Sequence, residues 1–292
     1  MSDKTQTYLV KPDPLDERLT RVVTGTDQSG ARITTRVPVE RALTLYLNAR
    51  EIVTMMTIGD HPEELAIGYL LNQNMLKADD VLTGVDYDED LEVIVIRTEH
   101  QTNFEEKLRK KTLTSGCAQG TAFGDLMEKI DTIRLPQVQT KTSWLYTLAS
   151  VINQTPSLYL EAGAIHGCVL CHQDQPLVYM EDVGRHNAVD KVAGWMFRNG
   201  VSGGDKIFYT TGRLTSEMVI KTARMGIPVL VSRSGFTAWG VELARQIGMT
   251  LIGRAKGKRF VALAGEERIH FDQDLSYVAD ESAKNRRKAS AE

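Results

Sequence analysis

The chain has 292 residues, 42% of them hydrophobic and 25% charged, with a formal net charge of −3. That length suits one large globular domain or two, and the near-neutral balance gives no electrostatic ground for binding nucleic acid. No run reaches the roughly 18 apolar residues of a membrane span. Three cysteines, with no apolar export signal in residues 1–16, point to a reducing cytoplasm rather than a disulfide scaffold.

Residues 1–16 are polar and expected to be disordered. Strand-like alternation or β-branched content follows at 18–24, 33–37, 42–48 and 52–57. A helix comes next, with Asp60 as the expected N-cap, Pro62 in the first turn, and Glu63 and Glu64 near the positive end of the dipole. Its apolar face is Leu65, Ile67, Leu70 and Leu71. Strands at 84–87 and 91–96, joined by Asp88-Glu89-Asp90, complete a small α+β domain over 17–112.

Residues 113–124 have no hydrophobic period. Small residues around Ser115-Gly116-Cys117-Ala118-Gln119-Gly120 predict an exposed, flexible loop. A second domain, 125–275, begins with helices at 125–130 and 143–153. Paired strands at 164–172 and 177–181 precede a helix at 186–197 with Val189, Val192, Ala193 and Met196 inward. A βαβαβ run follows, with short buried strands at 206–209, 228–231 and 249–252. The tail, 283–292, reads as disordered.

Each of those last three strands is followed by glycine, hydroxyl and arginine residues. The turns are Thr210-Thr211-Gly212-Arg213, Ser232-Arg233-Ser234-Gly235 and Gly253-Arg254. Parallel strands with crossover helices put their carboxyl ends on one edge, where ligands of open α/β sheets bind. Glycine admits a ligand close to the backbone, and a helix N-terminus favours an anion. The three turns together predict a large, multiply phosphorylated ligand.

Four further features have both a plain and a chemical reading. Cys117 is either an incidental surface thiol or a nucleophile activated by open amides and the nearby Arg109-Lys110-Lys111. The segment Glu181-Asp182-Val183-Gly184-Arg185-His186-Asn187-Ala188 closes a strand and opens a helix, as a helix start with an internal salt bridge or as the lining of a site. Thr215-Ser216-Glu217 is an ordinary N-cap or a cap over phosphate. The run Arg254, Lys256, Lys258 and Arg259 is a solvated turn or, beside this sheet edge, an anion site.

Cys168-Val169-Leu170-Cys171 after His166, with His61-Pro62-Glu63 upstream, imitates the signature of zinc deaminases. On a strand, residues three apart face opposite sides, which spoils zinc geometry. Two small buried hydrophobes are the expectation, with no intrinsic metal.

Taken together the motifs resemble the FdhD family of formate dehydrogenase accessory sulfurtransferases. The resemblance runs over about 38–257. It rests on Leu47-Asn48, Thr54-Met55, Asp60 with Glu63-Glu64-Leu65-Ala66-Ile67-Gly68-Tyr69-Leu70, the Gly116-Cys117 loop, Gly163 with His166, and the distinctive block from Glu181 to Lys191. Gly212-Arg213, Glu217-Met218-Val219, Val241-Glu242-Leu243-Ala244 and Thr250-Leu251-Ile252-Gly253 complete it.

The resemblance implies a cytidine deaminase-like α/β domain without zinc, a smaller α+β domain, and a homodimer. It also implies a cytoplasmic sulfurtransferase that takes sulfur from a cysteine desulfurase as a persulfide on Cys117. The sulfur would pass to the bis(molybdopterin guanine dinucleotide) molybdenum cofactor, bound as substrate, before insertion into the formate dehydrogenase apoprotein. The family's cofactor-binding stretch corresponds to Arg254, Ala255, Lys256, Gly257, Lys258 and Arg259. GDP would be a partial mimic, and Gly212, Arg213 and Arg233 fit the same expectation. One departure stands out: the family's loop has C-x-x-C, whereas Gly120 replaces the second cysteine here. A non-catalytic cofactor chaperone and a zinc-dependent hydrolase are the competing readings.

Overall fold

Apolar residues alternate with polar ones between residues 41 and 57, and the chain there forms the antiparallel pair β3 (Arg41–Leu47) and β4 (Arg50–Thr57). The computed structural model describes residues 8–99, 130 and 132–273. Strands β5 (Leu82–Asp88) and β6 (Val93–Thr98) complete a four-stranded sheet in the order β4-β3-β6-β5, with β3 and β6 parallel. Helix α1 (Pro62–Asn72) covers it and buries Leu65, Ile67 and Leu70 against Leu45, Leu47 and Ile94. Upstream, β1 (Thr20–Thr26) and β2 (Arg32–Pro38) pair only with each other, so this segment forms a separate ribbon.

The α1 cap differs from expectation. His61 is the N-cap residue, in the left-handed region at φ 47°, and makes no side-chain cap. Asp60 turns instead to a buried lysine described below, a stronger interaction than a solvent-facing cap. The predicted strand start at Leu91 also moves to Val93, because Leu91 donates its N–H to Asp88 in the turn.

After β7 (Thr140–Lys141), α2 (Thr142–Gln154) and the short α3 (Leu158–Glu161), the chain builds a six-stranded sheet. Its strands are β8 (His166–His172), β9 (Gln175–Asp182), β10 (Ile207–Thr210), β11 (Val229–Ser232), β12 (Thr250–Lys256) and β13 (Arg259–Ala264). The order is β13-β12-β11-β10-β8-β9. Only β10, β11 and β12 are parallel; β8, β9 and β13 run antiparallel to their neighbours, so the sheet is mixed.

Three crossover helices, α4 (Arg185–Arg198), α5 (Ser216–Arg224) and α6 (Ala238–Ile247), pack one face through Val189, Met218 and Leu243. Helix α2 covers the other with Leu145, Leu148 and Ile152. A last strand, β14 (Ile269–His270), pairs with β7. Among the described residues no helix is long and apolar enough to cross a membrane.

The two sheets meet through α1 and α4. A Cβ on Gly68 would lie 1.7 Å from the Asp190 carbonyl oxygen, and one on Gly194 would lie 2.0 Å from that of Glu64. Only glycine lets these backbones approach so closely. At one end of the crossing the Lys191 ammonium, fully buried, bonds to Asp60, to Asp182 at 2.6 Å and to the Glu181 carbonyl at 2.9 Å. Burial alone would lower the lysine pKa; the two carboxylates outweigh it and raise it. Asp182 also accepts bonds from Thr57, Asn187 and the Gly184 N–H, so β4, β9 and α4 converge on one carboxylate.

Two outcomes are expected. Gly68→Ala should lower the urea midpoint by an amount corresponding to about 1–3 kcal/mol or more, whereas Gly25→Ala, with nothing within 4 Å of its Cβ, should change it little. Lys191→Met should lose about 3–5 kcal/mol because Asp182 is left buried and unpaired. Adding Asp182→Asn to Lys191→Met should recover part of that loss in the same unfolding assay.

Candidate site at the carboxyl edge of the six-stranded sheet

Strand direction gathers the site. β9, β10 and β11 end on one edge at Asp182, Thr210 and Ser232, and the antiparallel β8 begins there at His166, opposite Asp182. Helices α4, α5 and α6 each start at this edge because each follows one of those strand ends.

Short polar contacts stitch the turns together. Gly167 donates its N–H to Thr211 Oγ1 at 3.0 Å, and its carbonyl accepts from the Thr211 N–H at 3.0 Å. Gly212 N–H donates to Thr210 Oγ1, and the Ser232 hydroxyl donates to the Gly212 carbonyl at 2.6 Å. The Arg254 N–H reaches the Ser234 carbonyl at 2.7 Å. Gly212 and Arg213 thus lie beside Arg233, which in turn lies beside Arg254, as neighbouring strands require.

The basic run is not a turn after a strand end. β12 continues through Lys256 and returns as β13, pairing Lys256 with Arg259 around Gly257 at φ 58°. A hairpin forms because Gly257 supplies the left-handed backbone that a tight reversal needs. A register shift between Gly253 and Lys256 marks a bulge, and Arg254 within it holds φ 54°, rare for a residue with a long side chain. Arg254, Lys256, Lys258 and Arg259 are all exposed; Ala255 is buried beneath them.

Arg233 is partly committed elsewhere. Its guanidinium donates to Asn153 Oδ1 at 2.9 Å and lies 5.4 Å from the Tyr159 ring centroid, which directs it toward the α2–α3 side of the sheet. Arg213 is exposed, and no side-chain partner holds it among the described residues.

The segment from Glu181 to Ala188 closes β9, carries the internal salt bridge and opens α4. Asp182 supplies the internal salt bridge to Lys191. Glu181 accepts the Leu158 and Tyr159 N–H groups at 2.7 and 2.9 Å, and burial still pushes its carboxyl up to about 7. Arg185 and His186 open α4 at this edge. The Arg185 stem lies on Gly212, where a Cβ would sit 3.0 Å from its Cδ.

His186 Nε2 meets Glu217 Oε2 at 3.1 Å with both side chains buried. Burial, then Lys221 and Arg185, push the imidazole down to about 2, so it is neutral beside the carboxylate, and its Nε2 makes no hydrogen bond of proper geometry. Thr215 occupies the N-cap position of α5 without making a side-chain cap, and Glu217 lies in the first turn of that helix beside His186. His166 lies 3.4 Å from Thr211 Oγ1; burial and then Arg185 and Arg213 lower its pKa.

In the sequence Arg185 and His186 stand only within a block read as a helix start or a site lining, Glu217 only within a cap, and His166 only beside the cysteine pair; none is singled out by itself. The available signal was topological: an antiparallel β8 delivers its first residue to the edge where its neighbours end. Cys117 and its loop, and nearly all of the expected helix at 125–130, lie outside the described residues.

Cys168 and Cys171 are fully buried on opposite faces of β8. Cys168 packs with Leu170 and Met180 toward the three-helix layer, and Cys171 with Val169 and Ile207 toward α2. Burial pushes the Cys168 thiol up to about 12, and Cys171 higher still. Among the described residues, no group of three or more His, Cys, Asp or Glu side chains is arranged to hold a metal.

The model of the FdhD/NarQ family matches residues 38–270. Relatives named sulfur carrier protein FdhD include one from Bacillus subtilis, 29% identical over 82% of this chain and 92% of its own length. Another, from Wolinella succinogenes, is 30% identical over 75% of this chain and 77% of its own. The crystal structure of a protein described as a formate dehydrogenase accessory protein, from Desulfotalea psychrophila, superposes with a TM-score of 0.68 and 27% identity. It covers 86% of this chain and 98% of that one. With a family match over most of its length, a mixed α/β architecture shared with that structure, and the Glu181–Lys191 block built into the joint between its sheets, the chain belongs to the FdhD/NarQ family.

Proposed function

We propose that the protein is a persulfide sulfurtransferase that serves formate dehydrogenase maturation, with Cys117 as its carrier thiol. The observation that carries this reading is the state of the other two cysteines. The relatives are named sulfur carriers, the chain has three thiols, and Cys168 and Cys171 are sealed in the sheet. A sulfur carried on cysteine is therefore left to Cys117.

In the first step the Cys117 thiolate attacks the terminal sulfur of a cysteine desulfurase persulfide. A new S–S bond forms at Cys117 and the donor leaves as its thiolate. The acceptor is the bis(molybdopterin guanine dinucleotide) cofactor, held as substrate before it enters the apoenzyme. Its phosphates suit the cationic edge of the sheet, with the Arg254, Ala255, Lys256, Gly257, Lys258 and Arg259 hairpin at one end and Gly212, Arg213 and Arg233 toward the other. A homodimer in the cytoplasm is the setting the family resemblance supplies.

Release of sulfur needs help from outside the chain. Gly120 stands where the family's second loop cysteine would be, and a thiol buried like Cys168 cannot approach the loop. Either the acceptor takes the terminal sulfur directly, or an external thiol attacks the persulfide and a second thiol then reduces the mixed disulfide.

Intact-protein mass spectrometry after incubation with a cysteine desulfurase and cysteine should show one added sulfur, removed by dithiothreitol and absent in Cys117→Ala. Cys117→Ala should fold normally yet fail to support formate dehydrogenase activation; full activation by it would favour a cofactor chaperone. In calorimetry the parent chain should bind GDP, and Lys256→Ala or Arg259→Ala should weaken it about 10- to 150-fold, the value of one charged hydrogen bond. Unchanged affinity in both variants would remove the hairpin from the cofactor site.

A further inference from the structure

We infer that Asn153 and Tyr159 are positioning residues that hold the Arg233 guanidinium, without neutralising it, for a phosphate of the ligand. This deepens the reading of the sheet edge as the cofactor surface and rests on it for the ligand's identity. Three features carry it: the missing counter-charge on Arg233, the neutral groups that orient it, and the anchoring of those groups in the fold.

Arg233 is half-buried in the turn that follows β11. Its only side-chain hydrogen bond among the described residues runs from Nη1 to Asn153 Oδ1 at 2.9 Å, and no carboxylate pairs with it there. The guanidinium carbon lies 5.4 Å from the centroid of the Tyr159 ring. Lys191 and Lys221 show the contrast: their burial is balanced by Asp60, Asp182 and Asp190 within ion-pair distance. Partly withdrawn from water and facing no carboxylate, Arg233 gains more from an incoming anion than a fully solvated arginine would.

An amide oxygen and an aromatic face orient a guanidinium without cancelling its charge. Tyr159 offers the flat surface on which the planar group lies. Asn153 accepts from Nη1, which leaves the Nε and Nη2 side of the fork, the side that can meet two oxygens of one anion. The Tyr159 hydroxyl makes no hydrogen bond among the described residues, so the ring is the part in use.

Both orienting groups are themselves fixed. Asn153 stands on α2 and donates its amide to the Ala149 carbonyl at 2.5 Å, so its oxygen is the atom turned to the arginine. Tyr159 belongs to α3, whose four residues are too few to hold a helical turn alone. The buried Glu181 carboxylate accepts the Leu158 and Tyr159 N–H groups at 2.7 and 2.9 Å, and Ser157 Oγ accepts that of Leu160. The end of β9 thus sets the place of Tyr159, and through it the place of Arg233.

Arg233 also lies within reach of the basic hairpin. The carbonyl of its neighbour Ser234 accepts the Arg254 N–H at 2.7 Å. Ala255 and Phe260 of the hairpin pack on the α2 face of the sheet, the face toward which Arg233 is drawn. A nucleotide whose diphosphate runs along the hairpin therefore has Arg233 beside it.

The test is titration calorimetry of the full chain with GDP. Arg233→Gln should weaken binding roughly 10-fold or more, and Arg233→Lys, which keeps the charge and loses the fork, should weaken it too. Tyr159→Leu and Asn153→Ala should each cost about fivefold, because the freed arginine must be immobilised anew on binding. Tyr159→Phe keeps the ring and should stay within about twofold of the parent. In the Arg233→Gln background, Tyr159→Leu and Asn153→Ala should cause no further loss, a result that a general loosening of the fold does not give. Added salt should weaken GDP binding more steeply in the parent than in Arg233→Gln.

Additive losses, equal losses in Tyr159→Leu and Tyr159→Phe, or a salt dependence unchanged in Arg233→Gln would overturn the inference. Weakening by Lys256→Ala with Arg233→Gln unaffected refutes it and leaves the nucleotide reading standing. Absence of GDP binding by the parent overturns both. If Arg233→Gln does not fold, Arg233→Lys serves as the background for the same comparison.

Discussion

Everything at the sheet edge depends on Lys191. Its ammonium has no exposed surface, and three oxygens from β9 and the β4–α1 loop share it. An ammonium taken out of water without such partners would carry a desolvation penalty of several kcal/mol. The lysine therefore requires α4, β9 and the small sheet to be assembled together. The glycine contacts between α1 and α4 make that possible, since two ordinary side chains at Gly68 and Gly194 would hold the backbones too far apart for Asp60 to reach Lys191. The end of β9 and the start of α4, where Arg185 and His186 lie, are thereby fixed by interactions on their far side.

The same joint determines the charge of the edge. The buried carboxylates of Asp182, Asp190 and Glu181 are satisfied by lysines and backbone amides, and each such match uses up a negative charge that would otherwise pair with an arginine. Arg213 and the hairpin cations remain facing solvent. A chain with net charge −3 can in this way present a locally cationic surface, and a local field rather than the net charge governs how an anionic ligand is attracted.

The architecture was legible wherever a single period governed a segment. The amphipathic helices at 143–153 and 186–197, and the short apolar strands of the βαβαβ run, fall within a few residues of their observed limits. Two misreadings came from different physical causes. Gly253-Arg254 looked like a strand end because glycine and charge usually close strands; here they form a bulge, and Gly257 makes the reversal four residues later. Asp60 looked like a cap because local spacing favours one, but a buried lysine 131 residues away outcompetes the helix amides. Non-local pairs such as Asp60–Lys191 and His186–Glu217 leave no periodic trace. Strand antiparallelism likewise placed His166 at the site edge, which no local pattern announces.

The strand position of Cys168 and Cys171 settles what those thiols can do in the proposed reaction. Burial pushes the Cys168 thiol up to about 12 and the Cys171 thiol higher still, so both stay protonated at neutral pH. Exposing either would mean parting β8 from β10, at the centre of the sheet, which amounts to unfolding the domain. The Cys168 Sγ instead donates to Thr210 Oγ1 at 3.4 Å, and Thr210 also accepts the Gly212 N–H, so this cysteine helps shape the turn before Arg213 without entering the chemistry. The proposed carrier has no loop disulfide to form, because Gly120 stands where the family's second loop cysteine would be. In the proposed cycle the persulfide accordingly persists until an outside acceptor or thiol meets it, which couples sulfur release to arrival of the acceptor.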